Sequence, residues 1–387
     1  MALLRVGYLT YGLDRKPTGI GRYSVELLRS MHRQSSEVEF VLLTTEGEDR
    51  HGLWQQFERH ALPGCSRLPV LLSLGNLLLS DAIRRYRLDV VHDPNGIAPF
   101  FGPAYGASRI VTLHDAFAFV TPHTHNRLDN WRYRVQLPYA ARAATAVVTV
   151  SQCSKRDLSH YLHIPDEHIH VIAEGVDTRF SPVADDRRRE AVLARYGIKP
   201  PYLLYVGGIS ARKNIVRLIE AAVLVRRRHP EIRLVLAGSK QWRTASIDRA
   251  LARADLDDTV YCTGYVDDDD LPSLYSGAEV FVFPSLYEGF GLPPLEAMAC
   301  GTPVVTSNRS SLPEVVGSAA LRVDPLDPRA IADSIMLILD QPHLASELRR
   351  QGLERARQFS WAQAGARMLE LYMMLAPAPS YASVPQD

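Results

Sequence analysis

Short apolar runs rich in β-branched residues recur along nearly the whole chain and alternate with segments of helical periodicity. The runs read RVGYLTY, VEFVLLT, LDVVHDP, SRIVTLHD, AATAVVTVS and IHVIAEG, then PYLLYVGG, IRLVLAGS, DTVYCTG, AEVFVFPS, GTPVVTS and ALRVDP. Strands without polar alternation are buried on both faces, which is typical of parallel sheets covered by helices. The pattern therefore predicts an α/β fold built on parallel sheets.

The alternation breaks between residues 176 and 201, where the chain is polar, charged and contains proline. A chain of 387 residues exceeds one typical domain. We predict two doubly wound, Rossmann-like domains, 1–185 and 186–358, that face a central cleft at the carboxyl ends of their strands. Residues 359–375 are expected to form a closing helix that returns to the N-terminal domain, and 376–387 a disordered tail.

The nearly equal numbers of positive and negative residues argue against a protein that binds its partner through overall net charge. The 44 Lys and Arg residues and 43 Asp and Glu residues give a net charge of +1, so we expect no nucleic-acid partner. The four cysteines lack metal-ligand spacing, which predicts no zinc site, no disulfide framework and a reducing compartment. The N-terminus does not resemble a signal peptide and no run of about 18 apolar residues occurs, so we expect a soluble, cytoplasmic protein.

The leucine-rich run LPVLLSLGNLLLSDAIRRYRLDVV supports two interpretations. The favoured one is a core-packed helix that leads into the next strand. The other is a weak peripheral contact with the inner face of a membrane. The sequence carries no signal for the oligomeric state.

The stretch SLYEGFGLPPLEAMACG joins a strand pattern to a helix pattern through a glycine-rich turn. Its backbone N–H groups can approach a ligand closely, and the start of the helix favours anionic oxygen. Glu288 and Glu296 are placed to bind hydroxyl groups at two ends of one ligand. The alternative is that Glu288 is a solvated loop residue and that Glu296 is a first-turn carboxylate whose only role is a favourable interaction with the helix dipole. The residues predicted to contact the ligand through this turn are Gly289, Phe290, Gly291 and Leu292.

Two further strand-to-helix turns carry glycines and cations. In YVGGISARKN, Arg212 and Lys213 follow Gly207 and suit a diphosphate, Arg through its planar fork and Lys as a point charge. The alternative for this pair is solvated surface charge. In YLTYGLDRKPTGIGRY, Gly19 and Gly21 precede a helix but do not form the dinucleotide fingerprint. This turn either approaches a ligand from the opposite wall or is a flexible loop.

Two more strand ends complete the candidate set. His114 ends the strand in SRIVTLHD, where its ring can bond a substrate hydroxyl. The alternative is a buried histidine satisfied by the following turn. The backbone at Val266 lies at another strand end and is placed to line a base pocket. The acidic run at 267–270 predicts a solvated helix start rather than a metal site, because four consecutive carboxylates cannot converge on one ion.

Together these motifs resemble those of the retaining, nucleotide-sugar-dependent glycosyltransferases of family 4, the group 1 glycosyltransferases, which have the GT-B fold. The resemblance runs from GIGRY to FSW. It implies that Glu288 and the GFG amides hold the transferred sugar and that Glu296 holds the ribose hydroxyls of a nucleotide. It also implies phosphate binding by Arg212 and Lys213, and a place in the cleft for His114.

Two positions depart from the family pattern. Gly208 and Glu174 stand where many relatives have Arg and Asn, so phosphate binding is expected to rest more heavily on Arg212 and Lys213. TGIGRY and RKN look most like mannosyltransferase-like members that build bacterial polysaccharides. This resemblance favours GDP-mannose as the donor and a glycan or glycolipid as the acceptor. No cofactor and no metal are expected, because the two cations and the helix starts can stabilise a departing diphosphate.

Two other classes of function stay open on the sequence alone. One is a non-catalytic protein that binds nucleotide sugars. The other, less favoured, is a sugar-nucleotide epimerase, since these enzymes also use the GT-B architecture. The pair of glutamates with seven residues between them and the RKN loop favour the transferase.

Overall fold

The computed structural model describes residues 3–11, 13, 19–45, 48–49, 51–97, 100, 102–124, 127–240, 245–252 and 259–377. Within these residues the chain forms two parallel β-sheets, one in each half. Helices join successive strands, as parallel pairing requires. The predicted α/β fold with two doubly wound, Rossmann-like domains is confirmed.

The N-terminal sheet contains seven strands in the described part of the chain. They are β1 (Leu4–Leu9), β2 (Val38–Thr44), β3 (Glu58–Ala61), β4 (Val90–Asp93), β5 (Ser108–Thr112), β6 (Ala146–Thr149) and β7 (Ile169–Val171). Their order across the sheet is β3-β2-β1-β4-β5-β6-β7. The helices of this half are α1 (Gly19–Gln34), α2 (Leu68–Ser73), α3 (Gly75–Tyr86), α4 (Phe117–Val120), α5 (Arg127–Ala143) and α6 (Gln152–Leu162).

The C-terminal sheet contains six described strands. They are β8 (Tyr202–Val206), β9 (Arg233–Ala237), β10 (Val260–Gly264), β11 (Val280–Phe283), β12 (Val304–Ser307) and β13 (Leu321–Val323), in the order β10-β9-β8-β11-β12-β13. The helices are α7 (Asp186–Arg195), α8 (Ile215–Arg226), α9 (Ala245–Leu251), α10 (Leu271–Gly277), α11 (Leu292–Ala299), α12 (Leu312–Val316), α13 (Pro328–Asp340), α14 (Pro342–Ala356) and α15 (Trp361–Leu375). Short 3-10 helices span Pro122–Thr124, Asp166–His168 and Ala211–Lys213.

Each sheet reverses its strand order at one point, between β1 and β4 in the N-terminal sheet and between β8 and β11 in the C-terminal sheet. At such a point the crossovers leave in opposite directions and open a crevice beyond the carboxyl ends of the strands. The loops that follow β8 and β11 therefore meet in one crevice. The RKN and EGFG motifs lie in these two loops.

The two halves touch across the cleft. The hydroxyl of Tyr287, in the loop after β11, donates to the Asp157 carboxylate of α6 at 2.7 Å. The Glu314 carboxylate of α12 accepts hydrogen bonds from the backbone N–H groups of Gln152 and Cys153, at 2.9 and 3.2 Å. These N–H groups begin α6 and carry its partial positive charge. A carboxylate from one half therefore caps a helix of the other.

The last helix, α15, lies against α1 of the N-terminal half. The Ser30 hydroxyl of α1 donates to the Trp361 carbonyl at 2.6 Å, and the Tyr372 hydroxyl lies 2.6 Å from the His92 ring. A Cβ atom added to Gly365 would lie 2.7 Å from the Ser30 hydroxyl oxygen. Glycine therefore allows these two helices to approach closely.

The leucine-rich run forms α2 and α3 and is only partly packed in the core. Leu71 and Leu79 are buried, whereas Leu74 and Leu77 are exposed. In the ranges that the structure describes, no helix combines the length and the hydropathy needed to cross a bilayer. The predicted disordered tail lies outside the described residues from 378 onward.

Candidate active site

The crevice of the C-terminal sheet brings three of the predicted residues together. Arg212 and Lys213 lie on the 3-10 helix after β8, and Glu288 lies in the loop after β11. The Glu288 carboxylate contacts the Arg212 guanidinium at 3.0 Å and the Lys213 ammonium at 2.6 Å, and it accepts a hydrogen bond from the Ser285 hydroxyl at 2.5 Å. Glu288 is buried, so it is not a solvated loop residue.

The two cations keep Glu288 ionised. Burial would raise the pKa of the Glu288 carboxyl group, but Arg212 and Lys213 outweigh burial and lower this pKa to about 2. For Lys213, burial prevails over the attraction of Glu288 and lowers the pKa of the ammonium group to about 8. Burial also raises the pKa of nearby Asp115 against the attraction of Arg212. Two cations thus face one firmly ionised carboxylate, an arrangement that leaves positive charge to bind an anion.

Aromatic rings of the sheet help to position Lys213. Its ammonium nitrogen lies 4.9 Å from the centre of the Phe283 ring, at the end of β11. Phe283 in turn stacks on Tyr205 of β8, with 5.8 Å between ring centres. A desolvated aromatic face attracts a cation through its quadrupole. The adjacent strands that form the crevice therefore also fix the place of this cation.

The turn after Glu288 approaches the N-terminal half very closely. A Cβ atom added to Gly289 would lie 2.5 Å from the His114 carbonyl oxygen, so a larger residue requires the backbone to move. The Gly289 carbonyl accepts hydrogen bonds from the hydroxyls of Ser151 and Ser154, at 2.7 and 3.1 Å. Gly289 and His114 are therefore neighbours across the cleft.

The rest of the turn leads into α11. Gly291 has a φ angle of +123° and precedes Leu292, the first residue of the helix. The Phe290 side chain is buried and packs edge-on against Phe359, with 5.7 Å between ring centres. The Phe290 carbonyl accepts a hydrogen bond from the Ser311 hydroxyl at 2.6 Å. The Phe290 side chain therefore belongs to the core, and a ligand contact at this position would have to come from the backbone N–H group.

Glu296 has its own set of partners. Its buried carboxylate contacts the Arg22 guanidinium at 2.5 Å and accepts a hydrogen bond from the Tyr275 hydroxyl at 2.9 Å. Arg22 of α1 also contacts Asp268 at 2.7 Å and so joins two carboxylates of the opposite half. Burial raises the pKa of Glu296 against the lowering effect of Arg22. The sequence placed Arg22 in the GIGRY turn, which either approaches a ligand or is a flexible loop, but did not predict its contact with Glu296.

Arg22→Gln should destabilise the protein by about 3 kcal/mol, because it leaves the buried Glu296 charge without its cation. Without Arg22, the folded-state pKa of Glu296 should lie further above its unfolded value. The folded variant then binds the proton more tightly, so its instability should grow as pH rises above about 4.5 and shrink in acid. Thermal unfolding at pH 5 and pH 7.5 measures this effect. The double variant Arg22→Gln/Glu296→Gln should recover much of the loss, and equal stability of Arg22→Gln and wild type at both pH values would contradict the pairing.

His114 lies in the cleft with hydrogen-bond acceptors at both ring nitrogens. Its Nε2 lies 2.9 Å from the Pro94 carbonyl oxygen, and its Nδ1 lies 3.6 Å from the Glu174 carboxylate. The contact with Pro94 is a hydrogen bond, whereas the contact with Glu174 is electrostatic and favours the charged imidazolium. Burial alone would lower the pKa of His114, but Glu174 outweighs it and raises this pKa. The partners of the His114 ring are therefore the Glu174 carboxylate and the Pro94 carbonyl, and not the turn that follows His114.

Glu174→Asn should lower the pKa of His114, because asparagine supplies no negative charge. An NMR titration of the ring protons should place His114 above the ordinary value of about 6.5 in the wild type and lower in the variant. A raised histidine pKa contributes stability that is present below about pH 6.5 and is lost as pH rises through the folded-state value. The variant should therefore lose stability in acid and little in alkali. Glu190→Asn, at an exposed position, serves as the control, and an unshifted His114 titration in Glu174→Asn would refute the pairing.

The remaining predicted residues lie at element ends. Gly19 is the first residue of α1 and the buried Gly21 is the third, so both lie in the helix rather than before it. Gly207 follows β8 with a φ angle of +145°, and its N–H donates to the Ala237 carbonyl at 2.9 Å. Val266 follows β10, and its side chain is buried in the core. At Val266, as at Phe290, only the backbone is available to a ligand.

The acidic run at 267–270 is used in ion pairs. Each of three carboxylates binds a different arginine, so they do not converge on one point. The pairs are Arg22 with Asp268, Arg179 with Asp269 and Arg195 with Asp270, at 2.7, 3.1 and 2.8 Å. The run immediately precedes α10, as predicted of a helix start, but Asp270 is buried rather than solvated. Among the described residues, no three His, Cys, Asp or Glu side chains are grouped to hold a metal ion.

Two models of known protein families together match most of the sequence. Residues 17–180 match Glycosyltransferase Family 4, and residues 189–359 match Glycosyl transferases group 1. The chain is 32% identical to the O-antigen chain mannosyltransferase B of Escherichia coli, over 96% of this chain and 100% of that protein.

Solved structures share the architecture. The sucrose-phosphate synthase of Thermosynechococcus elongatus superposes with a TM-score of 0.78 at 22% identity, over 96% of this chain and 99% of that chain. The Anabaena protein HepE, solved in complex with UDP-glucose, has a TM-score of 0.75 at 18% identity, over 96% and 100% of the two chains. At these identities the likeness concerns the fold, which is GT-B.

Proposed function

Because the chain belongs to the group 1 glycosyltransferases, we propose that it moves mannose from GDP-mannose to a hydroxyl of a glycan or glycolipid acceptor. The transfer retains the configuration of the sugar and serves polysaccharide biosynthesis. The observation that carries the proposal is the buried Glu288 carboxylate between Arg212 and Lys213 in the crevice of the C-terminal sheet. The mannosyltransferase name of a relative that matches over its whole length supports the choice of sugar.

Each group of the site has a role in this proposal. Arg212 and Lys213 bind the diphosphate, and Glu288 with the amides of the following turn holds the mannose. Glu296 binds the ribose hydroxyls, which requires its carboxylate to share or exchange the Arg22 contact. His114, whose charged form Glu174 favours, lies in the cleft and must exchange its Pro94 contact to donate a hydrogen bond to a ligand. The gap between the two halves admits the acceptor.

The chemical step is a front-face substitution at the anomeric carbon. The bond from this carbon to the diphosphate oxygen breaks, and the acceptor oxygen forms a new bond on the same face. The acceptor proton passes to the departing phosphate oxygen. Arg212 and Lys213 stabilise the charge that develops on the diphosphate, while Glu288 stabilises positive charge at the sugar.

The reaction should not require a divalent metal, because the two cations can stabilise the leaving diphosphate. We expect the initial rate of transfer to stay unchanged when EDTA is added to the purified enzyme. The control is the same assay with excess magnesium, which should also leave the rate unchanged. A loss of activity in EDTA that magnesium restores would contradict this expectation.

A thermal-shift comparison of donors tests the proposed substrate. GDP and GDP-mannose should raise the melting temperature more than UDP and UDP-glucose, since a ligand at about 100 times its Kd stabilises the folded state by about 2.7 kcal/mol. If only UDP and UDP-glucose raise the melting temperature, the donor is a uridine diphosphate sugar, the kind of ligand present in the HepE structure. No shift with any nucleotide would overturn the proposal. Conversion of GDP-mannose without an acceptor would instead favour an epimerase.

A further inference from the structure

Helix α5 exposes an apolar stripe on the outside of the N-terminal half. The exposed fractions are 74% for Leu128, 65% for Trp131, 56% for Val135 and 39% for Tyr139. Residues spaced by three or four positions lie on one side of a helix, so these four form a continuous stripe. The opposite side of α5 is buried in the domain, at Leu137, Ala140 and Ala141. One side of α5 therefore packs against the domain, and its apolar stripe faces solvent.

Basic and aromatic groups border this stripe. Arg134 and Arg142 of α5 are exposed. The Arg134 guanidinium lies 5.2 Å from the centre of the Phe119 ring in α4, and Phe119 stacks on the half-exposed Tyr161 of α6 at 5.7 Å. By sequence α5 carries four arginines and one aspartate, so the helix has a net positive charge. The face thus combines aliphatic, tryptophan and tyrosine side chains with positive charge.

We propose that this face of α5, with Tyr161 at its edge, docks on an anionic phospholipid surface. Tryptophan and tyrosine favour the level of the lipid headgroups, aliphatic side chains enter the acyl boundary, and arginines pair with anionic headgroups. Charge complementarity favours this occupant over a second copy of the chain, whose α5 would bring arginines against arginines.

The position of α5 in the N-terminal half suggests what the docking would do for the cleft. Helix α5 begins shortly after His114, α4 and the 3-10 helix at Pro122–Thr124, on the carboxyl side of the N-terminal sheet, so the first part of the stripe lies on the cleft side. Docking through α5 would bring the cleft near acceptors carried by lipids. This surface differs from the exposed Leu74 and Leu77 of the leucine-rich run, where the sequence suggested a membrane contact. The binding itself does not depend on the proposed transfer.

Co-sedimentation of the full chain with vesicles tests the docking. At low salt the wild type should bind vesicles of phosphatidylglycerol and phosphatidylcholine and not vesicles of phosphatidylcholine alone. Leu128→Ser/Trp131→Ser/Val135→Ser should weaken this binding by about tenfold or more. Leu337→Ser, which changes an exposed leucine of α13, and Leu77→Ser should bind like the wild type.

Three outcomes would overturn the proposal. The first is no binding of the wild type to anionic vesicles. The second is equal binding by the wild type and the triple variant, with both folded by circular dichroism. The third is a concentration-dependent dimer of the wild type in analytical ultracentrifugation that the triple variant loses, since the stripe would then be covered by a second copy.

Discussion

Replacing Glu288 with glutamine should reduce turnover by about 100-fold or more. Glutamine keeps the size of the side chain but removes a charge that Arg212 and Lys213 keep ionised, with a pKa of about 2. In the proposed reaction that charge stabilises the sugar as positive character develops at the anomeric carbon. The turnover number of the purified variant with GDP-mannose and an acceptor glycan measures the effect.

Glu220 provides the matched control for this change. It is exposed on α8 of the same half, so Glu220→Gln removes the same charge away from the crevice. Its turnover should equal that of the wild type. Because Glu288→Gln also leaves two partly buried cations without their carboxylate, circular dichroism must show that the assayed variant is folded. Equal, mild losses in the two variants would contradict the role of Glu288.

Arg212→Ala should weaken GDP binding by about 10- to 100-fold, since a hydrogen bond to a charged group contributes about 1.5–3 kcal/mol. Guanosine lacks the diphosphate, so its affinity should not change. Lys213→Ala should behave in the same way. Calorimetric titration with GDP and guanosine separates the two parts of the ligand. Equal losses for both ligands would mean that the variants disturb the whole site rather than a diphosphate contact.

The depressed pKa of Lys213 adds a pH signature to this prediction. GDP affinity of the wild type should fall as pH rises through about 8, because the Lys213 ammonium then loses its proton. In Lys213→Arg the guanidinium stays charged, so this fall should disappear. A fall of the same size in both proteins would assign the titration to the nucleotide or to another residue.

The fold could be predicted because its signals are local. Strands buried on both faces have continuous apolar sequences, and all the predicted runs correspond to strands of the two sheets. Strand β3 was missed, because its sequence ERHA lies at the edge of the sheet and is largely exposed. Its four residues therefore lack the apolar run that marks the other strands, including the edge strands β7, β10 and β13.

The site could be predicted only in part, because several contacts join distant segments. The cluster of Glu288, Arg212 and Lys213 lies in the loops after β8 and β11, at the strand ends where the sequence predicted the cleft. The pair of Arg22 with Glu296 depends on how the two halves dock, and no local pattern encodes it. The burial of the Phe290 side chain also depends on a long-range contact, because its partner Phe359 lies far along the chain.

The anomeric configuration of the product tests the central claim most directly. GDP-mannose carries its mannose in an α linkage, and the substitution proposed around Glu288 keeps that configuration. NMR of the purified product should therefore show a new α-mannosyl linkage, read from the one-bond coupling between C1 and H1. A β linkage would mean inversion at the anomeric carbon and would contradict the account.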